Sequence, residues 1–263
     1  MPLSLKGPLA SVTMKLLRAN DHLRGIRQVE AKFGAVACQV VFTEDRDKDL
    51  GYFVVHLPEP PLELSSMVGD CLHNFRATLD YLVWRMVMCN PPNEPDSRNM
   101  FPICTSPDNF AGQVKRGRLQ GVPEAGAAII EKMQPYDSTH HPLVLLDNLC
   151  NADKHRDLHL TTAVASDLDI SFSRDGEVYL RTILGNDEVR NGTILGNIGV
   201  SLSKVPSRPQ VEVHGQAVAF VAFKDLLSES GEAVSVGDLL EEMRDHIADT
   251  VIPSLEPFIY WLS

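Results

Sequence analysis

The chain has 263 residues, 44% of them hydrophobic and 22% charged, an ordinary globular composition with enough length for a sizeable core. Its formal net charge of −11 and pI of about 5.2 exclude a global basic footprint for duplex nucleic acid. No apolar run approaches the roughly 20 residues of a membrane span, and Met-Pro-Leu-Ser-Leu-Lys-Gly-Pro at the N-terminus lacks the apolar core of a signal peptide, so a cytoplasmic protein is expected.

Residues 11–32 read as a helix, with Val12, Leu16, Leu17, Leu23, Ile26 and Val29 on one stripe and Arg18, Asp21, Arg24 and Arg27 outside it. Residues 35–43 favour a strand, Glu44 to Lys48 a charged turn and 51–57 the return strand, which gives a hairpin over 35–57. Pro58, Pro60 and Pro61 break the chain. A long helix follows over about 63–89, its broad apolar face marked by Leu64, Met67, Val68, Cys71, Leu72, Phe75, Leu79, Leu82, Val83 and Met86. That breadth predicts a central helix.

Residues 91–122 are loop-rich, with a short helix from Pro107. Lys115-Arg116-Gly-Arg118 is the one dense basic run and reads as a solvated loop. Pro123-Glu124 opens a helix to about Met133, and Pro142 opens the next, to about Arg156. Residues 158–223 then alternate and are rich in Val, Ile, Thr and Phe, predicting an antiparallel sheet with a hairpin at Asp175-Gly176. The pentamer Thr-Ile-Leu-Gly-Asn occurs at 182–186 and at 193–197, too short a repeat for a solenoid. Residues 235–262 read as a closing helix capped by Ser235, with Leu239, Leu240, Met243, Ile247, Val251, Ile252 and Leu255 on its core face and Pro253 and Pro257 interrupting its end.

The expected fold is therefore α+β: a helical core of four to five helices (about 11–34, 63–156 and 235–262), an N-terminal β-hairpin (35–57), and an antiparallel sheet (about 158–223) inserted before the C-terminal helix. The N- and C-terminal helices are expected to pack together in a single integrated domain spanning 1–263. Five scattered cysteines, without a C-x-x-C pair, argue against a disulfide scaffold or a cysteine zinc site, and Cys71 and Cys150 read as small core residues. His140-His141 beside Asp137 lacks metalloprotease spacing and reads as a loop leading into the next helix. No metal or other cofactor is expected.

Two polar clusters remain. His73, Arg76 and Asp80 are spaced to share one face of the long helix, with Asn74 beside them. Asn148, Asn151 and His155 repeat that spacing on the later helix, accompanied by Asp153, Lys154 and Arg156. If the two stripes face each other, they assemble metal-free acid–base chemistry. One of His73 and His155 accepts a proton while the other donates one. Arg76, Lys154 or Arg156 stabilises a developing phosphorane, and Asn148 and Asn151 orient substrate or imidazole. The competing reading is structural: Asp80 pairs with Arg76, Asp153 pairs with Arg156, and His155 complements a helix C-terminus.

The segments Gly69-Asp-Cys-Leu-His73-Asn74-Phe-Arg76-Ala-Thr-Leu-Asp80, Phe101-Pro-Ile, Gln134-Pro-Tyr136 and Asn151-Ala-Asp153-Lys154-His155-Arg156 resemble a widespread group of uncharacterised bacterial proteins over about residues 11–160. A looser similarity is to HEPN-type helical ribonucleases of toxin and phage-defence systems. In those proteins an arginine, a polar residue, three variable residues and a histidine lie near the end of a helix, and two copies share one site. Asn151 to His155 fits the polar-to-histidine half, whereas Cys150 occupies the arginine position. The resemblance implies RNA and a second copy of this chain as partners. The alternatives are a non-catalytic binding or scaffold protein, and a small-molecule pocket between the helices with Trp84 as one wall.

Overall fold

The apolar periodicity of the long helix dominates the architecture. In the computed structural model, which describes residues 7–34, 39–45, 47, 50–155, 158–166, 168–174, 177–184, 194–201, 210–214 and 217–260, that helix is α2, Leu62–Met88. Nine of the ten apolar positions expected in its core are buried, Met67 being half-buried. Where the sequence predicts one integrated domain, the chain groups into two compact units. The first comprises residues 1–27, 63–158 and 237–263; the second comprises 28–62 and 159–236.

The first unit is helical and built around α2. Helix α1 (Ala10–Gly34) buries Val12, Leu16, Ala19, Leu23 and Ile26, and its Ala19 carbonyl accepts the Cys71 thiol at 3.4 Å. Leu17 and Val29, expected on that stripe, are only half-buried. Two shorter helices follow α2: α3 (Pro107–Lys115), capped by the Ser106 side chain, and α4 (Glu124–Lys132). Lys115, the last residue of α3, and Arg116 are exposed, whereas Arg118 of the same basic run is half-buried and donates to Gln113 Oε1 at 3.3 Å. Helix α5 (Pro142–His155) carries the second polar cluster. Its Cys150 thiol reaches the Leu72 carbonyl of α2 at 3.6 Å.

The closing helix is α6, Val236–Asp245. Arg27 of α1 donates to Glu241 at 2.8 and 3.1 Å and to Asp238 at 2.5 Å, so the N- and C-terminal helices do pack together. The helix does not run on unbroken. Residues His246–Val251 form a π-turn, in which the Ile252 N–H reaches back five residues to the Ile247 carbonyl. A short α7 (Ile252–Leu255) and a 3-10 turn (Glu256–Phe258) follow. Pro253 explains the break. It has no N–H to donate, and its ring excludes the carbonyl four residues earlier, so the ladder widens just before it. All seven predicted core residues of this segment are nevertheless buried.

The second unit holds the strands, and its sheets correct the sequence reading. Strands β1 (Gln39–Asp45) and β2 (Leu50–His56) form the expected antiparallel hairpin, with Thr43 opposite Tyr52. Among the described residues, those after α5 do not make one sheet. Strands β3 (Leu160–Ser166), β4 (Leu168–Arg174), β5 (Glu177–Leu184), β6 (Ile194–Ser201), β7 (Gln210–His214), β8 (Ala217–Leu227) and β9 (Ala233–Ser235) are divided among three three-stranded sheets, ordered β1-β2-β6, β3-β8-β9 and β5-β4-β7. Strand β6 leaves its sequence neighbours to pair with β2, through Phe53 and Leu195. The two C-terminal strands of the alternating region, β7 and β8, lie in different sheets.

Alternation marks a strand but says nothing about its partner, and partners are chosen across long sequence separations. The repeated pentamer shows this. Its first copy ends β5, which pairs with β4, and its second begins β6, which pairs with β2. Arg174 lies opposite Glu177, the register a two-residue hairpin at 175–176 demands, although residues 175–176 themselves lie outside the described set. Ser235, expected as a helix cap, ends β9 immediately before α6. Among the described residues, no helix is long and apolar enough to cross a membrane.

Candidate functional site

Helices α2 and α5 bring the two polar clusters together along one antiparallel seam. Three contacts set the register. A Cβ placed on Gly69 would lie 2.6 Å from Asp153 Oδ1, so Asp153 seats directly on the bare backbone of α2. One turn on, Cys150 Sγ lies 3.6 Å from the Leu72 carbonyl. Another turn on, Arg76 Nη1 stands 3.8 Å from Asp147 Oδ1. Position numbers rise along α2 as they fall along α5, in steps of three to four residues, as for two antiparallel helices in contact.

The inner part of the seam is a polar clamp. Arg76 Nη2 donates to Asp80 Oδ1 at 3.1 Å and to the Phe101 carbonyl at 2.6 Å. The same Asp80 oxygen accepts the Phe101 N–H at 2.9 Å. One side-chain pair thus holds both polar groups of one backbone residue, and the Phe101 side chain is fully buried. The side chains of Arg76 and Asp80 are 15% and 23% exposed, so the pair is largely withdrawn from water. Burial pushes the Asp80 carboxyl up from its ordinary range, while Arg76 and the Phe101 N–H pull it back. Arg76 Nη1 is buried and makes no hydrogen bond.

Further groups gather around the guanidinium. Asp147 Oδ2 accepts from Asn151 Nδ2 at 3.2 Å, so one carboxylate links Arg76 to Asn151. Burial pushes the Cys150 thiol up to about 11, opposed by the charges of Arg76 and Lys154. The Cys104 thiol is pushed up by burial and then by Asp147. Both are poor nucleophiles at neutral pH. Gln134 secures the segment after Phe101: its Oε1 accepts the buried Cys104 N–H at 2.8 Å and its Nε2 donates to the Ile130 carbonyl at 2.9 Å. The Tyr136 hydroxyl is buried without a hydrogen bond. The Gln134 side chain therefore ties the segment that follows Phe101 to the end of α4.

The predicted site residues divide into two sets. Arg76, Asp80 and Asn74 belong to the interior. Asn74 is buried and turned along its own helix, donating to the Asp70 carbonyl at 2.7 Å. His73, Asn148, Asn151, Asp153 and Lys154 are exposed. His73 lies between Gly69 and Arg76 on α2, on the seam side by helical phase. His155 is the last residue of α5; its side chain and Arg156 lie outside the described residues, as does the expected Asp153–Arg156 pair. Trp84 is 41% exposed on α2.

Sequence reasoning missed Asp147, although it stands four residues before Asn151 and on the same face. It also missed a second polar feature, an edge-to-face contact between His141 and His246. Among the described residues, no group of three or more His, Cys, Asp or Glu side chains is placed to hold a metal ion. Cys71, Cys89, Cys104 and Cys150 are free and buried.

One consequence can be measured directly. Gln134→Ala strands the buried Cys104 N–H and frees the segment that carries Phe101. We expect a loss of about 1–3 kcal/mol in denaturant unfolding, with Gln134→Glu recovering part of it through its remaining acceptor. No protein-family profile, curated protein or solved structure matches the chain.

Proposed function

We propose that the α2–α5 seam is the site of a cytoplasmic, metal-independent ribonuclease of HEPN-like type, completed by a second copy of the chain. The observation that carries this reading is the seam itself. It has the exposed His73 one helical turn before Arg76, whose buried Nη1 has no hydrogen bond, with Asn151 and Lys154 exposed on the facing helix. In the proposed chemistry, one of His73 and His155 takes the proton from an RNA 2′-hydroxyl as its oxygen attacks the adjacent phosphorus. The other gives a proton to the departing 5′-oxygen. Arg76 and Lys154 offset the phosphorane charge, and Asn151 orients the phosphate.

The rim also carries Asp70, Asp147 and Asp153, and the whole chain is acidic. Binding therefore engages one or two phosphates, and its dependence on salt is shallow, with a logarithmic slope of about −0.7 to −1.4.

Cleavage of total bacterial RNA in EDTA tests the reading. His73→Ala and His155→Ala each lower the rate by about 10²–10⁴-fold without a matching fall in melting temperature. A second reading is favoured by the Arg76 hydrogen bonds to Asp80 and Phe101: a non-catalytic scaffold in which the cluster is structural. It gains the field if wild-type protein leaves RNA intact in EDTA and in added magnesium alike.

A further inference from the structure

Helix α5 begins at Pro142, and its first N–H groups need acceptors from outside the helix. His141 supplies one. Its Nδ1 accepts the Leu143 N–H at 3.2 Å, the task usually performed by a Ser or Asp side chain at that position. The same ring meets His246, the first residue of the π-turn, at 4.8 Å between centroids and 86° between planes. His246 Nε2 is buried and has no hydrogen bond. Two imidazoles from distant parts of the chain thus touch where one must present a bare nitrogen and the other has no acceptor for a charged N–H.

We infer that the His141–His246 contact is an acid-sensitive joint, which holds the start of α5 to the π-turn while both rings are neutral and releases it when either takes a proton. Protonation at His141 Nδ1 turns an acceptor into a donor, so the cap on Leu143 is lost, and it sets a cation at the positive end of a helix dipole. Protonation of His246 buries a cation against a neighbouring ring. Two protonated rings repel at close range.

At the end of α6, just before His246, Arg244 is bonded to Asp245 at 2.8 Å and also interacts with Glu241 and with Asp249 of the π-turn. On the segment before α5, His140 bonds the Thr139 hydroxyl at 3.0 Å. Beside burial, the neighbour that lowers the His246 ring is His141. Burial holds both rings below the ordinary imidazole range, and His141 depresses His246 further. The folded state therefore binds fewer protons than the unfolded chain as pH falls below about 6.5. The stability that the joint contributes is complete above that pH and is lost as pH falls through the depressed values. Because α5 also carries Asp147 and Asn151, acid loosens the helix that faces Arg76.

The test compares melting temperatures at pH 7.5 and 5.0 for the wild type and for a variant carrying His141→Asn and His246→Phe. Asparagine keeps an acceptor for the Leu143 N–H, and phenylalanine keeps the ring contact; neither titrates. The wild type is expected to lose at least about 3 °C more than the variant on acidification. An equal loss in both overturns the inference. Should the variant not fold, hydrogen exchange of the wild type at the two pH values, corrected for intrinsic rates, decides. Peptides covering 142–150 and 243–252 are expected to lose more protection at pH 5.0 than those of α2. Equal or smaller losses there overturn it.

Discussion

Arg76→Met is expected to destabilise the helical unit by about 2–4 kcal/mol, seen as a fall in melting temperature of roughly 4–15 °C. The methionine fills much of the same space, so the loss is electrostatic. Asp80 is left largely buried with the Phe101 N–H as its remaining donor, and the Phe101 carbonyl loses its 2.6 Å bond. The sign of the pH dependence follows from Asp80. Burial raises its folded carboxyl above the unfolded value, so its favourable contribution is present below the unfolded pKa of about 3.9 and is lost as pH rises through the folded value. Without Arg76 the folded value climbs further. The gap between variant and wild type is therefore widest near pH 7 and narrows toward pH 4.

Adding Asp80→Asn to Arg76→Met should restore part of the stability, because the amide oxygen still accepts from Phe101 and no buried charge remains. A double variant less stable than Arg76→Met alone would refute the clamp. The same pair separates the two functional readings. If ribonuclease activity exists, it stays low in the refolded double variant, whereas a purely structural role predicts recovery of whatever function the protein has.

Phe101→Ala is expected to cost about 3–5 kcal/mol, the largest single effect anticipated here. Its side chain is fully buried, and its backbone is the group that Arg76 and Asp80 hold together. Truncation opens a cavity and lets the backbone leave the clamp. Denaturant unfolding of the single variants and of Arg76→Met with Phe101→Ala should show a combined loss smaller than the sum, since both changes release the same residue. Strict additivity would mean that the Phe101 ring and the Arg76 bonds act independently.

How much of this was legible in the sequence varied with the range of the interaction. The core of α2 could be read position by position because burial of one helical face recurs every three to four residues. The buried residues of α6 and the segment after it were legible for the same reason, and the break there announced itself through Pro253. The Arg76–Asp80 pair was visible as an i, i+4 spacing. Its bond to Phe101 was not, because the two residues stand 25 positions apart across a loop and nothing local in Phe101-Pro-Ile signals an acceptor for a guanidinium. The His141–His246 contact was hidden for the same reason. A histidine before Pro142 and another in a helix carry no mark of each other.

By itself, the sequence determined the α+β class, the helices and their buried faces, the strand-forming segments and the two polar stripes, because each follows from local periodicity and side-chain chemistry. Only the tertiary structure decided which strands pair, that β6 joins the hairpin, and that α2 and α5 run antiparallel with Gly69 against Asp153 and Arg76 near Asp147. Those choices depend on contacts between residues far apart in the chain, where the entropy of closing a long loop is offset by many partners at once, and no short window of sequence contains them.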